Sequence, residues 1–149
     1  CTYNHVYSGA VEDLMIEASF DLINCGDIIE HLQDPWTVLR RLYSWLRPHG
    51  YMVLSVPNLG HWSVVRDLMQ GTFQYVPWGL LCITHIRWFT EESIRESLES
   101  AGFVIDFFQR EQMEPTPAGR DFIASALQHC SADERSLMTN EYLIRVRKP

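Results

Sequence analysis

Apolar and polar positions fall in blocks whose length and period change along the chain, and those changes predict the elements. Residues 20–24 form a short apolar run bounded by polar residues. That suits a strand buried on both faces better than a helix, which needs at least ~10 residues to be buried. Asp34-Pro35 follows, an N-cap with proline at the first helical position, where its missing N–H costs nothing. From there Trp36, Leu39, Leu42, Tyr43 and Leu46 recur at helical spacing and predict one buried face. Pro48-His49-Gly50 predicts the helix stop, because proline disfavours a helical residue before it and glycine tolerates the reversal. Residues 51–56 then read as a second strand, closed by Pro57. Strand, loop, helix and strand make a βαβ unit, which implies a parallel pair in a sheet covered by helices. Ligands of such sheets lie outside the carboxyl ends of the strands, so residues 25–31 and Pro57-Asn58 are expected to edge a site.

Farther along, Trp62, Val65, Leu68 and Met69 share a helical face, and residues 72–83 are aromatic and apolar without a clean period. Thr90-Glu91-Glu92 supplies a capping hydroxyl with two carboxylates in the first turn, favourable against the helix dipole. Ile94, Leu98 and Ala101 are the expected buried stripe of that helix, and Gly102 its stop. Residues 103–108 read as a strand, Glu114-Pro115-Thr116-Pro117 as a break, and Phe122, Ile123, Ala126, Leu127 and Cys130 as another helix face. Residues 141–146 read as the last strand.

Composition narrows the class. A chain of 149 residues with 46% hydrophobic content and five tryptophans can bury one domain's core. Twelve basic against nineteen acidic residues give a net charge of −7, which argues against non-specific nucleic-acid binding. The four cysteines show neither close pairs nor metal-finger spacing, so a reduced, cytoplasmic setting is the default. No stretch approaches the ~20 apolar residues of a membrane span.

The segments FDLINCGDIIEHLQDPWTVL and LRPHGYMVLSVPN resemble the central part of class I S-adenosylmethionine (SAM)-dependent methyltransferases, and ITHIRWFTEESIRESLESAGF is similar to a later stretch of the same group. The resemblance covers roughly residues 8–107. It implies an α/β, Rossmann-like, mostly parallel sheet with an antiparallel last strand inserted between its neighbours. It further implies that residues 1–149 are a single partial methyltransferase domain, from the family's third strand onward, with a cap-like insert over about 59–88. None of the eight glycines forms the family's GxGxG turn, so the sheet is expected to be incomplete on its N-terminal side. Residues 1–10 are then expected to be irregular, paired differently, or matched by another copy of the chain.

By the same resemblance, SAM is the cofactor, with Val11, Cys25, Gly26 and Asp27 at its binding corner. Ala10 departs from the family's acidic turn. Methyl transfer from a sulfonium needs chiefly alignment and sometimes removal of a proton. His31 and His85 are the candidate catalytic groups, each a potential general base, with a structural histidine as the competing reading. Arg87 reads either as a bidentate holder of a substrate carboxylate or phosphate or as the partner of Glu91, the pair being favoured. If Asp27 begins a helical turn, Asp27, Glu30 and His31 share one face. That spacing provides a divalent-metal site in ubiquinone-type catechol O-methyltransferases, and its oxygen-rich ligation suits Mg²⁺, Mn²⁺ or Ca²⁺. The favoured assignment names no metal ligand. The function expected is methyl transfer to a small-molecule acceptor, with the isolated chain inactive. The alternative is a non-catalytic module for partner binding or for self-association through an exposed sheet edge.

Overall fold

A computed structural model of the chain describes residues 4–17 and 19–149. Four strands form one sheet: β1 (Phe20–Gly26), β2 (Leu46–Pro57), β3 (Val104–Gln112) and β4 (Thr139–Arg147). Their order is β1-β2-β4-β3, with β1 parallel to β2 and β4 antiparallel to both of its neighbours. Three strands therefore run one way and the last is inserted against them. Among the described residues five α-helices complete the fold: α1 (Pro35–Trp45), α2 (Trp62–Met69), α3 (Glu91–Ser100), α4 (Pro117–His129) and α5 (Glu134–Met138). None is long and apolar enough to cross a membrane. Residues 4–10 carry no helix or strand, and residues 1–3 lie outside the described part.

The sheet buries one face. Met52, Leu54 and Val56 alternate along β2, and Tyr142, Ile144 and Val146 along β4, packing with Val38, Leu39 and Leu42 of α1 and Ile94 and Leu98 of α3. On the opposite face Leu22 is 60% exposed, and Tyr51, Val53 and Phe107 are also open. Cover on both faces, expected of the βαβ pattern, is thus absent among the described residues.

Several local readings shift for identifiable reasons. Trp36 is 46% exposed, and Val38 takes its place in the core. The indole N–H of Trp36 donates to Ser97 Oγ at 3.1 Å, so this side chain ties α1 to α3 across the surface. β2 begins at Leu46, not at Tyr51, because Leu46 already pairs with Phe20 before the register slips. The reversal falls on His49, with φ 66°, rather than on Gly50. Gly50 is needed for space instead: a Cβ there would lie 3.1 Å from the Phe20 carbonyl oxygen and 3.0 Å from that of Arg47. Leu68 and Met69 are exposed and Val64 is buried, since α2 packs on α4 and α5 through Trp62, Ile123 and Leu137. Cys130 and Leu127 likewise point away from that small cluster. Glu91 pairs with Arg95 and Arg110 at 3.0 and 2.5 Å, while Arg87 donates to the carbonyls of Ile86 and Gln33.

Candidate functional site

The strand ends build a corner from local constraints. β1 stops at Gly26, opposite Ser55, and Asp27 turns the chain with φ 50°. The Asp27 amide donates to Ser55 Oγ at 3.0 Å, and that hydroxyl donates back to Asp27 Oδ1 at 2.7 Å. A 3-10 turn, Ile29–His31, follows. Ile29 is fully buried and anchors this turn in the core, which draws its neighbour Glu30 inside as well. The Glu30 carbonyl accepts the amides of Ile86 and Arg87 at 2.9 and 3.0 Å, stitching the segment before α3 onto the corner.

That stitch brings His85 to His31. Their ring centroids are 4.8 Å apart, and the Nε2 of each lies 3.9 Å from Glu30 Oε1. Nδ1 of His31 sits 3.0 Å from the Thr84 carbonyl oxygen, and Nδ1 of His85 3.0 Å from that of Leu80. A carbonyl only accepts, so both Nδ1 atoms carry hydrogen, and Nε2 is the ring nitrogen that faces Glu30 in each case. Glu30 is 1% exposed, with no hydrogen-bond partner on either carboxylate oxygen. Burial raises the Glu30 carboxyl above its usual range and lowers the His85 imidazole. A buried carboxylate and two imidazole nitrogens thus meet at one point.

The three groups also form a potential metal-donor set, their ligand atoms lying within 4.8 Å of one another. It differs from the one the D-x-x-E-H spacing suggests. Asp27 lies outside the helical turn, because of its positive φ and its clasp with Ser55, and His85 stands in its place. One carboxylate with two imidazoles suits zinc or another first-row ion better than magnesium or calcium.

Beside this cluster opens a cavity of about 420 Å³. Asp27, Glu30 and Glu141 supply its acids, and Pro77, Trp78, Leu80 and Met113 its apolar wall. Glu141, opposite Pro57 in the β2–β4 ladder, is the group that sequence reasoning missed. Burial, and then the neighbouring Asp27 carboxyl, push it up to about 7. The inserted antiparallel strand starts where the parallel ones end, so its first residues face the corner. That placement was the one signal available.

The candidates for cofactor contact divide. Cys25 is buried in the core and its thiol is pushed up to about 11 by burial, so its side chain faces away from the corner. Val11 packs against the edge of the core, in a stretch tied down by Arg41, which donates to the carbonyls of Glu12 and Leu14. Gly26 is exposed, and a Cβ there would approach nothing closer than 3.7 Å. Its φ is not positive either. Neither the turn nor the packing of this chain requires glycine at that position. Asn58, expected at the mouth, is fully buried: its amide N–H groups bond the carbonyls of Ser136 and Thr139, both at 2.8 Å.

A strand-end corner beneath a partly apolar segment is the architecture of class I methyltransferases. The family model described as "Methyltransferase domain" matches residues 5–106, and the chain belongs to that family. A ubiquinone biosynthesis O-methyltransferase of Xanthomonas campestris pv. campestris is 35% identical over 78 residues, 44% of this chain and 33% of that protein. The chain thus spans about a third of the curated relatives it matches. Among solved structures, a SAM-dependent methyltransferase of Thermotoga maritima, described as a possible histamine N-methyltransferase, aligns with TM-score 0.62 and 17% identity. That alignment covers 95% of this chain and 62% of the other. The N-methyltransferase NodS of Bradyrhizobium japonicum, solved with S-adenosyl-L-homocysteine (SAH), aligns with TM-score 0.55 and 15% identity, over 95% of this chain and 52% of its own. The fold is that of SAM-dependent methyltransferases.

Proposed function

We propose that these 149 residues supply the acceptor-facing part of a SAM-dependent methyltransferase acting on a small molecule. The observation that carries the reading is Gly26, a strand-end glycine that neither the turn nor its neighbours demand. Close approach of a ligand is the remaining reason for it. The backbone of residues 25–27 would hold the cofactor, with Val11 at its far side, and residues 59–88 would act as the cap over the acceptor. SAM, when bound, supplies an electrophilic methyl on a sulfonium.

The chain's own work is to orient the acceptor and to take up its proton. His31 and His85 would serve the second task. Either Nε2 can receive a proton from an acceptor O–H or N–H, and Glu30, 3.9 Å away, offsets the imidazolium charge. The unpaired thiols of Cys25, Cys82 and Cys130 fit a cytoplasmic setting.

SAH titration calorimetry tests the reading. In the parent reading frame the protein is expected to bind SAH at micromolar concentration. Gly26→Val should weaken that binding at least tenfold with the thermal midpoint unchanged. Absence of SAH binding by the parent protein, or a Gly26→Val protein that binds as before, refutes the assignment. The 149-residue chain alone, without a GxGxG turn, is expected to bind SAH poorly.

One observation favours a second reading, a module that self-associates. The outer edge of β1 is unpaired among the described strands, and Leu22 beside it is 60% exposed. On that reading the chain elutes from gel filtration as a dimer or larger, and a strictly monomeric profile excludes it.

A further inference from the structure

We propose that the cavity at the strand ends is an ammonium subsite, with Glu141 its anchoring residue. The inference rests on the methyl-transfer reading and narrows its acceptor to an amine carried on an apolar or aromatic body.

The charge of the walls is the first observation. Asp27, Glu30 and Glu141 line the cavity, and no lysine or arginine does. Asp27 and Glu141 come from strand ends far apart in sequence and line the same cavity, where the Asp27 carboxyl raises that of Glu141. An anionic acceptor would be repelled there. A cation would be held between them.

The second observation is independent of the first. Glu30 is 1% exposed, lines the same cavity, and has no donor on either oxygen. A buried carboxylate left without donors is costly, and a positive group brought up to this cluster from the cavity would offset that cost. The imidazole Nδ1 hydrogens go to backbone carbonyls, and each Nε2 stops 3.9 Å from Glu30 Oε1, beyond hydrogen-bond distance.

The wall opposite the acids decides which cation. Pro77, Trp78, Leu80 and Met113 form it, and Trp78 is 79% exposed. An open indole offers its face to an alkylammonium or to an aromatic ring. A volume of about 420 Å³ falls in the range of small-molecule sites, roughly 300–1,000 Å³. A bare divalent ion would satisfy the acids and leave this wall with nothing to bind.

The test is binding, measured by calorimetry on the 149-residue chain. The ligands are 2-phenylethylamine, phenylacetate and Zn²⁺ or Mn²⁺ alone, at neutral pH. The amine is expected to bind at least tenfold more tightly than the acid. Glu141→Gln should cost the amine about tenfold and leave phenylacetate unaffected, while Glu141→Asp, which keeps the charge, retains the preference. Circular dichroism checks that each variant is folded. Equal binding of amine and acid, an equal loss of both in Glu141→Gln, or binding of the metal ion without binding of the amine overturns the proposal. Because the readout is acceptor affinity and not turnover, the two readings fail separately. A chain that prefers the amine while its parent protein ignores SAH keeps the subsite and loses methyl transfer. A parent protein that binds SAH, with no amine preference in the chain, does the reverse.

Discussion

Replacing Glu141 by glutamine should make the protein more stable above neutral pH and leave it unchanged in mild acid. The folded carboxyl is pushed from its ordinary 4.5 up to about 7, by burial first and by Asp27 second. Between those values the folded chain keeps a proton that the unfolded chain has released. Stability therefore falls as pH rises from 4.5 through 7. At about 1.4 kcal/mol per pK unit the ceiling is about 3.4 kcal/mol. Glu141 is only half-buried, and solvent screening reduces that to about 1–2 kcal/mol. Urea unfolding followed by tryptophan fluorescence, at about pH 4 and about pH 8, reads the difference directly. At the lower pH a protonated carboxyl and an amide are near-isosteric, and the two midpoints should coincide. At the higher pH the Glu141→Gln midpoint should rise by the equivalent of about 1–2 kcal/mol. A difference of the same size at both pH values, or a variant less stable at the higher one, would refute the reasoning.

Three further outcomes follow from packing and burial. Met52→Ala, at a fully buried position on an inner strand, should cost about 2–5 kcal/mol in urea unfolding, without moving the site. Gly119→Ala places a Cβ 2.8 Å from the Trp62 ring, and overpacking of about 1–3 kcal/mol set against ~1 kcal/mol of helix propensity should leave a net loss of up to about 2 kcal/mol, seen as a lower calorimetric midpoint. His61 caps α2 by accepting from the Ser63 amide, and burial pushes its imidazole down to about 4. The stability it contributes is present above pH 6.5 and lost as pH falls toward 4, so His61→Asn, which keeps a capping acceptor, should flatten that acid limb.

The order of elements was legible in the chain because it depends on near neighbours. Asp34-Pro35 starts α1 as read, with Asp34 Oδ1 accepting the Thr37 amide at 3.0 Å. Thr90 caps α3 in the same way, its hydroxyl accepting from Ser93. Which side of each helix is buried was less legible. Trp36 and Met69 fit the period, yet other elements decided which way α1 and α2 turned.

The corner itself was half readable. Asp27, Glu30 and His31 stand close in sequence, and the rule for strand ends placed them together before any coordinates. Local spacing could not show that Asp27 turns away to clasp Ser55 while His85 comes in against Glu30. Period and propensity act over a few residues. The meeting of His31 with His85, and of Asp27 with Glu141, is fixed by which strands pair and by a loop stitched to the Glu30 carbonyl. The sequence alone determined the order of most strands and helices, their approximate extent, and which chemistry was on hand. Only the tertiary structure decided which acids share a cavity, because charges separated by scores of residues feel one another only once folding has removed the water between them.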